Sequence, residues 1–218
     1  MKSRKSLLII LISIACSNLV AQDTTIIKID KLLSQYNKPN APGFSIMVIE
    51  KGTILYNKCY GLANLENNIP ITPKTVFEIG SLSKHFTAFC ILQLAEKGLI
   101  SLDDDVRKYI PELKNYGNIK IINLITHTSG LRDYNTLFIL SGLNWDNNYS
   151  DEMLMDLIIK QKQLNFKPGD EYSYSNTGYF MLKEIIERVS GRSLRQFSDS
   201  SIFKPLGMTS KHFWNLEP

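Results

Sequence analysis

The chain has 218 residues, of which 44% are hydrophobic and 21% charged, with a formal net charge of +4. This composition argues against a disordered chain, and the length leaves room for one domain with a real core, or for part of a larger one. Lys2, Arg4 and Lys5 precede a short apolar run, Leu7 to Ala15, interrupted by Ser13, and Leu19-Val20-Ala21 ends on a small residue. That is the pattern of an export signal over residues 1–21, and the run is too short to span a bilayer. Cys16, after Ser13-Ile14-Ala15, is a poor match to a lipoprotein cleavage site and is where a lipid anchor would attach. Without residues 1–21, which hold three basic residues and no acidic one, the net charge falls from +4 to +1. The electrostatic case for a nucleic-acid or membrane-surface partner goes with it. The expected mature chain is 22–218, exported to the periplasm or secreted.

Residues 24–38 predict an amphipathic helix, with Ile26, Ile27, Ile29, Leu32 and Leu33 at helical spacing. Phe44 to Glu50 and Thr53 to Tyr60 read as two strands of a hairpin around Lys51-Gly52. Pro70 and Pro73 mark an extended connection. Phe86 to Ala95 holds only two polar residues, Thr87 and Gln93, so it predicts a helix surrounded by protein and stopped at Gly98. Asp103-Asp104-Asp105 before Val106 predicts a short helix with an acidic start, ended by Pro111. Residues 127–130 form a turn, and 131–150, rich in Asn, Gly, Ser and aromatics, read as a long loop. Helices are expected over 151–161 and 177–189, the second closed by Gly191, with a turn at 167–170 between them.

Of the three cysteines, Cys59 and Cys90 remain after residue 21. An exported chain allows them to pair, whereas their apolar contexts favour free buried thiols. No metal-ligand spacing occurs, and no cofactor is expected.

The stretch E-I-G-S-L-S-K-H-F at 78–86 carries the first chemical signal. Positions i and i+3 share a helix face, so the Lys84 amine can reach the Ser81 hydroxyl, while Ser83 points elsewhere. Serine needs a base to become a nucleophile, and a lysine can act as one where burial and positive potential favour its neutral form. A helix N-terminus adds such potential, together with N–H groups suited to an oxyanion. Against this stands an ordinary N-cap serine beside a solvated lysine. A second S-x-x-K, Ser201 to Lys204, opens no buried helix. Tyr174-Ser175-Asn176 supplies a hydroxyl that can relay protons and an amide that can hold a substrate amide. It has its own decoy in Tyr116-Gly117-Asn118, which sits in a polar turn.

These segments resemble the serine β-lactamase and penicillin-binding protein superfamily in its class C-like branch. The resemblance runs through P-G-F-S-I-M-V-I-E-K-G at 42–52, T-V-F-E-I-G-S-L-S-K at 75–84, and L-D-D-D-V-R-K-Y-I-P-E-L at 102–113. It continues in L-I-T-H-T-S-G-L at 124–131, Y-S-N-T-G-Y at 174–179 and P-L-G-M-T at 205–209. It implies an α/β fold, a sheet with flanking helices plus a helical subdomain, and a partial domain over 22–218. It implies Ser81 as the acylated nucleophile, Lys84 as its proton partner, Tyr174 as general acid/base and Asn176 as a substrate-amide contact. His127 falls in a segment that looks structural. A Ser-His-Asp triad is the rival, but no G-x-S-x-G elbow is present and His85 neighbours Lys84 without facing Ser81.

The family's third motif, K-[TS]-G or H-x-G, occurs nowhere in the chain. In the family it lies on a later strand that also supplies an oxyanion donor, and losing one such donor costs about 10²–10³ in rate. The expectation is therefore a C-terminally truncated serine hydrolase acting on small-molecule or peptide amides or esters. Its alternatives are an inactive fragment and a non-catalytic binding protein of the same fold.

Overall fold

A computed structural model describes residues 24–142, 149–210 and 213. The export segment expected over 1–21 lies outside them. The chain divides after Phe77 into two compact units.

The first unit is built on α1 (24–33) and a hairpin of β1 (Phe44–Glu50) and β2 (Thr53–Tyr60). The hairpin has the expected bounds. Lys51 and Gly52 both take positive φ, 48° and 80°, the backbone that a two-residue turn needs to match the strand twist. Phe44 stacks on its cross-strand partner Tyr60 with ring centroids 4.9 Å apart. Asp30 of α1 ties helix to hairpin. Its carboxylate accepts from Lys58 Nζ at 2.6 and 2.7 Å and from the Tyr56 hydroxyl. These bonds hold the Asp30 carboxyl below its ordinary range, with the Lys58 bond contributing most. The connection expected to be simply extended instead folds back on itself. β3 (Leu62–Asn64) and β4 (Ile69–Pro70) pair antiparallel, with Pro70 on a short strand where its missing N–H does little harm. Among the described residues β1 and β2 pair only with each other.

The second unit is helical. α2 (Lys84–Glu96) packs on α6 (Asn176–Ser190), which also crosses α3 (Ile121–Ile125). Ile91 and Leu94 of α2 meet Met181, Leu182, Ile185 and Ile186 of α6, all but fully buried. The expectation that α2 is enclosed all round is corrected here: Phe89 and Leu92, on its other side, are nearly half exposed. A short 3-10 turn, Val106–Lys108, is capped by Asp105, whose carboxylate accepts from Arg107 N at 2.8 Å. Pro111 opens a further 3-10 turn, Pro111–Leu113, where it lacks only an N–H that would have no partner.

The long loop expected over 131–150 is also corrected. It contains α4 (Tyr134–Leu140), started by the Asp133 cap on Asn135 N. α5 (Asp151–Ile159) is capped by Ser150. α6 ends on Gly191 at φ 66°, a left-handed C-cap that favours glycine. α7 (Leu194–Ser198) follows, running into a π-turn at Asp199–Phe203. No helix among the described residues is long and apolar enough to cross a membrane. Cys59 and Cys90 are both free thiols, and burial pushes Cys90 up to about 12.

Ile185 has no exposed surface, so Ile185→Ala is expected to cost about 2–5 kcal/mol in urea unfolding. Phe89→Ala, on the open side of α2, is expected to stay within about 0.5 kcal/mol. Equal losses would contradict the burial pattern.

Candidate active site

Ser81 lies in a 3-10 turn, Gly80–Ser83, that runs directly into α2. Gly80 enters it at φ 51°, a backbone that suits glycine. Ser83 turns back, its hydroxyl donating to Gly80 O at 2.7 Å. Ser81 faces the other way, and one turn later Lys84 Nζ donates to its Oγ at 3.0 Å. The Tyr174 hydroxyl lies 2.7 Å from the same Oγ. Lys84 Nζ also donates to Asn176 Oδ1 at 2.8 Å, and stands 5.0 and 5.6 Å from the ring centroids of Tyr174 and Tyr179. The four residues singled out from the sequence thus meet around one hydroxyl, although 92 or 93 positions separate the two motifs.

The decoys meet nothing comparable. Tyr116 is buried, with its hydroxyl donating to Ile158 O at 2.6 Å. Ser201 donates to Phe197 O, and Lys204 pairs with Asp199. His85 is exposed against Phe86.

Further residues hold the Tyr174 segment. His127 O accepts from Ser173 N at 2.9 Å, and His127 Nδ1 accepts from Ser175 N at 3.2 Å. Its ring lies 4.5 Å from that of Tyr174, and its φ of 58° is unusual for a non-glycine residue. Gly130, at φ 72°, closes the same turn: a Cβ there would stand 2.2 Å from Phe166 O. Asp133 accepts from both Asn176 N and, at 2.9 Å, Asn176 Nδ2. It therefore caps α6 in place of Ser175, whose own hydroxyl is buried without a partner. Thr177 Oγ1 donates to Arg132 O at 2.7 Å and accepts from Tyr134 N at 2.9 Å, joining the two segments again. The Asn176 carboxamide, expected to face a substrate amide, already uses its oxygen and one N–H inside the protein.

Electrostatically, burial raises the Tyr174 phenol, but its interactions with Lys84 and Ser81 outweigh this and leave it below the ordinary tyrosine value. Burial, and secondarily the Lys84 charge, lowers His127. A lysine amine and a phenol on one serine hydroxyl are groups able to exchange a proton with it. A cavity of about 310 Å³ opens beside Tyr174, walled by Arg132, Asp133, Leu137, Leu140, Asn165 and Ser173 among others. Among the described residues no group of His, Cys, Asp and Glu is arranged to hold a metal ion.

His127 binds its proton less readily folded than unfolded, so between the two pKa values the unfolded chain holds more protons. Stability on this account is complete above the unfolded value of about 6.5 and declines below it. His127→Asn, which tolerates the left-handed backbone, is expected to flatten the fall in Tm between pH 7.5 and 5. Parallel curves for the two proteins would contradict this.

The family model described as Beta-lactamase matches residues 29–218. A penicillin-binding protein of Bacillus subtilis (strain 168) is 36% identical over 174 residues, covering 78% of this chain and 38% of its own. The chain thus spans well under half of that relative. The octameric penicillin-binding protein homologue from Pyrococcus abyssi superposes with a TM-score of 0.70 at 34% identity, over 87% of this chain and 43% of that one. A class C β-lactamase does so with a TM-score of 0.67 at 30% identity, over 84% and 47%. By its fold, its motifs and this likeness, the chain belongs to the beta-lactamase family, within the superfamily of serine β-lactamases and penicillin-binding proteins.

Proposed function

We propose that the chain carries the nucleophile of an exported serine hydrolase that acts through an acyl-enzyme on Ser81. The substrates are amides or esters: D-Ala-D-Ala peptides, β-lactams or simple esters. The observation that carries this reading is the Ser81 hydroxyl with Lys84 Nζ at 3.0 Å and the Tyr174 hydroxyl at 2.7 Å. The Lys84–Tyr174 pair takes the serine proton as Oγ bonds to the substrate carbonyl carbon. The C–N or C–O bond then breaks, and the leaving group receives the proton from the same pair. Water repeats the sequence on the acyl ester, releasing the acid and restoring Ser81. Export rests on the basic and apolar pattern of residues 1–21.

A fluorophosphonate probe or a fluorescent penicillin is expected to label the purified protein, and Ser81→Ala to abolish the label. Lys84→Ala and Tyr174→Phe are each expected to slow labelling about 10²–10⁴-fold. Undiminished labelling of Ser81→Ala would overturn the assignment of the nucleophile.

A further inference from the structure

We infer that Asp133 is a positioning residue of this site: it fixes which way the Asn176 carboxamide faces, and through it holds the Lys84 amine beside Ser81. The inference rests on the reading of Ser81 as nucleophile.

A carboxamide has two seatings, related by a half turn, with nearly the same shape and opposite polarity. Only one suits a neighbouring carboxylate. Asn176 presents Oδ1 to Lys84 Nζ at 2.8 Å and Nδ2 to Asp133 Oδ2 at 2.9 Å. A carboxylate only accepts, so the flipped amide would set oxygen against oxygen at Asp133 and withdraw the oxygen that accepts from Lys84 Nζ. One hydrogen bond would become a repulsion and the other would lose its acceptor. Asp133 thereby rules out the wrong seating.

Asp133 is itself held from both sides. Its Oδ1 accepts from Asn135 N at 3.0 Å, fixing it to the start of α4. Its Oδ2 also accepts from Asn176 N, fixing the backbone that carries the amide. The bonds of Thr177 Oγ1 to Arg132 O and Tyr134 N brace its chain neighbours. The influence runs from carboxylate to carboxamide to amine to the Ser81 hydroxyl. Lys84 has a flexible four-carbon stem, and an amide turned the wrong way removes the acceptor that steadies its end.

Asp133→Ser separates the two roles of the carboxylate, since serine is a good cap for α4 but too short to clamp Asn176. The maximal rate of Ser81 acylation by a fluorophosphonate is expected to fall about 10–100-fold, as misplacement near a reacting centre costs. The half-saturating probe concentration should barely move, and the lost cap on Asn176 N should lower Tm equally in the wild-type and Asn176→Ala backgrounds. In an Asn176→Ala background, Asp133→Ser is expected to add less than about twofold, because the residue it acts through is gone. Equal losses of rate in both backgrounds would mean a general structural role. Asp133 also walls the cavity beside Tyr174, so a raised half-saturating concentration that persists without Asn176 would mean direct probe contact. Either result overturns the inference.

Equal labelling of wild type and Ser81→Ala would instead overturn the nucleophile reading. The clamp is then tested by the side-chain NH₂ signals of ¹⁵N-asparagine-labelled protein, with Asn176 identified by Asn176→Ala. One Asn176 proton is expected far downfield and slow to exchange, and Asp133→Ser should move it to the position of exposed asparagines. An unmoved signal would overturn the clamp.

Discussion

The packing of α6 across α2 and α3 decides where chemistry can occur in this molecule. Ile91 and Leu94 on one helix, and Met181, Leu182, Ile185 and Ile186 on the other, form one continuous apolar contact. Burying those side chains sets the two helices in a single register. Their N-termini then stand together, one preceded by Ser81 and the other by Tyr174. Each side chain reaches the shared point because it lies in, or just before, the first turn of its helix. The partial positive charge of the two helix N-termini lies beside the Ser81 hydroxyl, and the Asp133 carboxylate on Asn176 N offsets part of it.

Elements with a strong local period were legible from the residues alone. Alternation in 44–60 and the Lys51-Gly52 pair define the hairpin, and the stripe of α6 and its Gly191 stop define that helix. α4 was hidden because Tyr-Asn-Thr-Leu-Phe-Ile-Leu is only seven residues long and lies among turn-forming residues. The all-apolar reading of α2 was half right, since composition reports how much a helix can bury and not which neighbours are there to bury it.

The site was legible in part for the same reason. Ser81 and Lys84 are three residues apart, so helix geometry joins them on paper. Tyr174 and Asn176 are joined to them only by tertiary packing, and their assignment depended on family likeness and on the setting of each motif copy. His127 and Asp133 act on residues 48 and 43 positions away. The one local signal at Asp133 is that of a helix cap, which says nothing of a second oxygen gripping another helix. The Ser175 position misleads in the same direction: it has the residue type and place of a cap, yet leaves the cap to Asp133.

The two thiols differ in a way that matters at the bench. Cys90 of α2 lies wholly inside the core of the helical unit, where burial keeps its proton on and its sulfur away from solvent. Thiol reagents act through the thiolate and need access. Cys59 is partly exposed on β2, its sulfur 3.6 Å from Ser45 Oγ. Among the described residues the protein therefore offers a single native attachment point for a fluorophore or spin label. That residue belongs to the first unit and Ser81 to the second, so a reporter on Cys59 follows the hairpin without modifying the segment that carries Ser81.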